Sequence, residues 1–123
     1  MYKKNIGIMK GKSKMMRGLI SILVLKELQN GPLHGYAIEK KISEEIETKM
    51  PPGMVYVILK SLERKGCIRS EESISTRGKN IKIYKITNHG MEFLFSHRNQ
   101  LIIMRKLIDE ILKFIDEKVK INK

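Results

Sequence analysis

The sequence predicts a mainly helical chain with one small β-hairpin past its middle and a long helix at its C-terminal end. Apolar residues recur at helical spacing before and after a break at Pro51-Pro52-Gly53. Two runs beginning at Cys67 and Ile81 read as strands around a turn rich in Ser, Thr, Gly and Asn. Leu94, Leu101, Ile108 and Ile115 then repeat every seven residues, the spacing of a helix with a sustained apolar seam.

Met1–Lys14 carries five lysines, no acid and little periodicity, and reads as a basic flexible arm. Met15–Asn30 reads as a first helix: Met16, Leu19, Ile20, Leu23 and Leu28 keep helical spacing, and Ile22, Val24 and Leu25 widen the apolar surface, so most of it is buried. Gly31-Pro32 ends it. His34–Thr48 reads as a second helix with Ile38, Ile42 and Ile46 on one stripe and mixed charge outside. Its free N-terminal amides, beside His34, Gly35 and Tyr36, can meet a phosphate.

The third helix, Gly53–Lys65, is the informative one. At 100° per residue Val55, Ile58, Leu59 and Leu62 share one face, while Gly53, Tyr56, Lys60 and Arg64 share the other. An aromatic hydroxyl, two cations and a glycine suit a phosphate-bearing polymer, although a solvated basic face would look the same. Strands at 67–72 and 81–86 follow, with a turn at 73–80. Four cations and no acid lie between Ser73 and Lys85, which makes the hairpin a basic wing. Thr87 suits the N-cap of a last helix, read as continuous from about Asn88 to Lys118 and roughly 45 Å long. Its seam of Leu101, Met104, Ile108, Ile111, Leu112 and Ile115 finds no cover in so short a chain, and a second copy is the expected partner.

Helix, helix, helix, basic wing and long helix make a winged helix-turn-helix with a long C-terminal dimerisation helix. The divisions are an arm at 1–14, a winged helix-turn-helix domain at 15–87 and the dimerisation helix and tail at 88–123. Composition agrees. The 123 residues hold 25 Lys and Arg against 13 Asp and Glu, a net charge of +12 that points to an anionic partner, double-stranded DNA before a membrane surface. The single Cys67 excludes an internal disulfide, fits a reducing cytoplasm and reads as a small buried hydrophobe. No apolar run reaches the length of a membrane span, so the expected location is cytoplasmic. His34, His89 and His97 show no catalytic spacing with the carboxylates, and no Gly-rich phosphate loop or metal-ligand cluster is present. The expectation is therefore no enzyme, no metal and no cofactor. A winged-helix module for protein contacts, or a general architectural DNA binder, fits the same pattern.

Leu28–Tyr36 (LQNGPLHGY), Pro52–Tyr56 (PGMVY), Leu59–Ile68 (LKSLERKGCI) and Tyr84–Gly90 (YKITNHG) together resemble the PadR family of transcriptional regulators. The likeness spans roughly Gly18 to Gly90 and is most specific at GPLHGY, which is intact. It implies a DNA-binding regulator, most often a repressor. In that reading Gly35 and Tyr36 contact phosphate, Gly53, Met54, Tyr56, Lys60 and Arg64 serve the recognition helix, and Arg77, Lys79 and Lys82 serve the wing. Met54 stands where the family usually has Thr, Val57 where Pro is common, and Gly78-Lys79 near a usual Gly-Arg-Pro-Arg wing. The single helix after the wing resembles the smaller branch of the family. The chain has no tryptophan for the aromatic sandwich of drug-sensing members, and the residues identify no small-molecule effector.

Overall fold

The computed structural model describes residues 14–48, 50, 51 and 53–121. The expected basic arm, apart from Lys14, lies outside the described residues, as do Pro52 and the last two residues of the tail. The elements run α1 (Lys14–Leu28), β1 (Leu33–His34), α2 (Gly35–Ile46), α3 (Met54–Arg64), β2 (Ile68–Ile74), β3 (Asn80–Ile86), α4 (Asn88–Ser96) and α5 (Arg98–Ile121). The three helices α1, α2 and α3 enclose Ile20, Val24, Leu25, Leu28, Ile38, Ile42, Val55, Ile58, Leu59 and Leu62, all at most 3% exposed. Burying such side chains contributes about 1.5–3 kcal/mol each.

The hairpin gains a third strand that the sequence does not announce. β1 is two residues long and pairs antiparallel with β3, Leu33 opposite Tyr84 and His34 opposite Ile83, so the sheet order is β1-β3-β2. Two residues carry too little pattern to read as a strand. Pairing of β2 with β3 continues from Ile68–Ile86 to Ile74–Asn80. The wing strands are therefore longer than 67–72 and 81–86, and the tip shrinks from 73–80 to residues 75–79.

Helix ends explain the joints. Gly66 takes φ +77°, its N–H donates to Glu63 O at 3.0 Å, and Cys67 N–H donates to Leu62 O at 2.9 Å. That is a Schellman ending, which needs a residue at ease in the left-handed region and seals its hydrophobic contact with buried Leu62 and Cys67. Thr87 then ties three elements together. Its Oγ1 accepts from Gly90 N–H at 3.0 Å and donates to Gly66 O at 2.6 Å, and its own N–H donates to Cys67 O at 3.0 Å. Gly90 presses so close that an added Cβ would collide with the Cys67 carbonyl oxygen. The Tyr84–Gly90 motif is thus the clamp that fixes α4 against the α3–β2 corner.

The last helix is not continuous, contrary to the reading from Asn88 to Lys118. It breaks at His97, where φ is −87° and ψ 0°. Ser96 Oγ donates to Phe93 O at 2.8 Å, and His97 Nδ1 lies 2.7 Å from the same oxygen. Two side chains compete with the backbone for one carbonyl, the known liability of such residues inside helices. Heptad spacing passes through the break undisturbed, so the pattern conceals it. No described helix is long and apolar enough to cross a membrane.

Candidate nucleic-acid interface

α3 presents two faces as its sequence requires. Val55, Ile58, Leu59 and Leu62 are buried, while Tyr56, Val57, Lys60 and Arg64 are exposed. Gly53, φ +79°, precedes the helix as its N-cap. Met54 does not belong with the offered group: it is 5% exposed and packs in the core. At 100° per residue it falls beside Ile58, not beside Tyr56, so the thiomethyl group has gone inward where a threonine hydroxyl could have stayed out. Gly35 is likewise buried. Its contribution is room, because an added Cβ would lie 2.8 Å from Tyr56 Cε1. The ring of Tyr56, 46% exposed, therefore lies across the start of α2 with its hydroxyl end over Gly35.

Around that ring the structure gathers half of the ten residues expected from sequence. A groove of about 390 Å³ is lined by Gly35, Tyr36, Tyr56, Lys60 and Lys82, together with His34 and Glu63. His34, which the sequence left evenly between a phosphate-facing residue and a plain helix-start residue, is positioned by β1 and caps α2: its Nδ1 accepts from Ala37 N–H at 3.2 Å. An accepting Nδ1 carries no proton, which leaves the proton on Nε2 as a donor. The imidazole stacks 6.4 Å from the exposed ring of Tyr36.

The wing is less uniformly basic than its sequence suggests. Glu72 sits opposite Lys82, and Glu71 lies 3.6 Å from Lys85 Nζ. Glu63, on α3, accepts from Ser70 Oγ at 2.7 Å. Burial pushes the Tyr84 hydroxyl above its ordinary pKa, with Glu63 and Tyr56 adding to the shift. Unopposed charge remains at the tip, where Arg77 and Lys79 are exposed. There Ser75 Oγ accepts from the N–H groups of Arg77 and Lys79 at 3.3 and 3.1 Å, knitting the turn that displays them. Cys67 is fully buried, and desolvation pushes its thiol above its ordinary pKa. It is a core residue of the α3–β2 joint.

α5 exposes the expected seam. Ile108, Ile111, Leu112 and Ile115 are 42%, 58%, 51% and 40% exposed, and Leu101 and Met104 are half-buried at its base. Sequence reasoning missed a second file on the same helix: Ile103, Leu107 and Phe114 are 59%, 51% and 60% exposed. At 100° per residue the two files cover about half the circumference, wider than a two-helix seam requires. The seven-residue step from Leu107 to Phe114 was the available signal.

A three-helix body, a three-stranded wing and an exposed third-helix face define a winged helix-turn-helix protein. The model of the PadR-like family of transcriptional regulators matches residues 24–96, more than half of the chain, and the chain belongs to that family. Its members are DNA-binding regulators of transcription, not enzymes. Among solved structures, a transcriptional regulator of Thermoplasma acidophilum is 36% identical over 82% of this chain and 97% of that one, with a TM-score of 0.78. A PadR family transcription regulator from Clostridium difficile is 31% identical over 77% of this chain and 99% of that one, with a TM-score of 0.64. A PadR family regulator from Eggerthella lenta is 25% identical over 80% and 86%, with a TM-score of 0.67. A search of curated proteins found no match.

Proposed function

We propose that the protein is a homodimeric, sequence-specific repressor. It lays α3 in the major groove of double-stranded DNA and sets its wing tip on the backbone or in the minor groove. The observation that carries this is the exposed α3 face of Tyr56, Lys60 and Arg64 beside the capped start of α2. Tyr36, Tyr56, Lys60 and Lys82 meet phosphates or base edges around the groove they share, and Arg77 and Lys79 meet the backbone from the tip. Residues 15–87 act as the reading domain and 88–123 as the dimerisation element. The apolar files of α5 support the dimer. Two recognition helices would then enter successive major grooves about 34 Å apart.

The test is fluorescence anisotropy on duplex from the gene's own upstream region and on a scrambled duplex, at low and near-physiological salt. Retention of the native duplex alone at the higher salt is expected. Release of both duplexes together would favour an architectural binder, and weak, salt-insensitive binding would favour a protein-contact module. Tyr56→Ala and Arg77→Ala are expected to weaken duplex binding while the oligomeric state holds. Unchanged affinity in both, on folded protein, would remove this site map.

A further inference from the structure

The recognition helix has two flanks, and only the wing side has been given a role. On the other side a groove of about 240 Å³ runs between α1 and α3, lined by Lys14, Arg17, Gly18 and Ser21 from one helix and Val57, Ile58, Ser61 and Lys65 from the other. It holds three cations and no acid. The two ion pairs among the described residues are Lys26–Glu45 and Lys85–Glu71, so none of the three is neutralised. Lys65 rests its Nζ 5.8 Å from the centre of the Phe93 ring, a contact that leaves its charge intact. The wing-side groove is the contrast: there Lys60 and Lys82 share the space with Glu63, and Glu72 faces Lys82 across the strands.

We propose that the α1–α3 groove is a second seat for the DNA backbone, on the flank of α3 opposite the wing. This rests on the reading of α3 as a recognition helix. A helix lying in a major groove has a phosphate strand on each side, and the walls stand about 12 Å apart, close to the width of the helix itself. The position is right for the second strand. At 100° per residue Val57, Ser61 and Arg64 fall on one side of Lys60, and Tyr56 and Glu63 on the other. Gly18 leaves the floor open, with nothing within 4 Å of where its Cβ would stand. Lys14 and Arg17 lie in the first described turn of α1. Ser21 is spent on Arg17 O at 2.8 Å, so the binding chemistry here is cationic and blind to base sequence.

The experiment compares the parent protein, Lys14→Ala/Arg17→Ala and the wing variant Arg77→Ala by anisotropy on the upstream and scrambled duplexes across 50–200 mM salt. Far-UV circular dichroism confirms folding, and Arg17→Lys serves as the charge-keeping control. Each lost phosphate contact should flatten the slope of log Kobs against log salt by about 0.9, so the double variant should lose nearly two units. It should weaken both duplexes alike, with near-parent behaviour for Arg17→Lys. Ethylation of phosphates on the α1 flank should interfere with the parent and not with the double variant. An unchanged slope in the double variant, while Arg77→Ala flattens it, would overturn the second seat and leave the recognition helix standing. A parent that binds neither duplex would overturn both.

Discussion

The winged body and α5 solve opposite problems. Among the described residues, the fifteen buried hydrophobic ones all lie between Ile20 and Tyr84. Along the 24 residues of α5 no described side chain is buried, although half its circumference is apolar. The body closes its own core and finishes its helix ends with internal bonds. The distal helix stands about 36 Å long with its apolar files facing outward. Local sequence rules thus suffice for the reading unit, whereas the shape of α5 makes sense only with something laid against it. Repeated exposure of large apolar side chains on one helix marks an interaction surface and not ordinary scatter.

The sharpest break of this contrast is Ile108→Glu. A charge placed in the seam must be buried twice in a two-fold interface, so the dimer should be lost at micromolar concentration while the body keeps its helical spectrum. Sedimentation velocity reads the first and circular dichroism the second. A variant that still sediments as a dimer would move the interface elsewhere.

Gly90→Ala should act on the other region. The new methyl meets the Cys67 carbonyl and comes within 2.8 Å of Ile86 Cγ1, so the clamp must open at a cost of about 2–3 kcal/mol in urea unfolding. A stability within 0.5 kcal/mol of the parent would contradict the clamp. Thr87→Ala should cost about 1–2 kcal/mol, with Thr87→Ser close to the parent because the hydroxyl is what caps and bridges. Smallest of all is Lys26→Ala. Its hydrogen bond to Glu45 at 2.9 Å holds that carboxyl below its ordinary pKa, but both partners are exposed. The melting midpoint should therefore not change measurably at ordinary salt.

Much of this was legible in the chain. Buried stripes placed α1, α2 and α3 within a residue or two, and turn residues placed the wing. Part of what sequence missed lay in side-chain to backbone competition or in close approach, neither of which has a period. Ser96 and His97 break a helix whose heptads run on regardless. Met54 turned inward because one helical step decides between core and groove. Gly35 looked like an anion contact and is a spacer under Tyr56. The glutamates of β2 lay outside the cation run at 73–85, and only strand pairing brings Glu72 to Lys82. Lys14 and Arg17 belonged on paper to an arm and a buried helix, and only folding sets them beside the recognition helix.

The most direct test of two reading bodies held together by α5 is the stoichiometry of the DNA complex. Analytical ultracentrifugation of labelled upstream duplex, titrated to saturation at near-physiological salt, should give two chains per duplex, with no stable one-chain complex on the way. Saturation at one chain, or continued loading in proportion to duplex length, would contradict it.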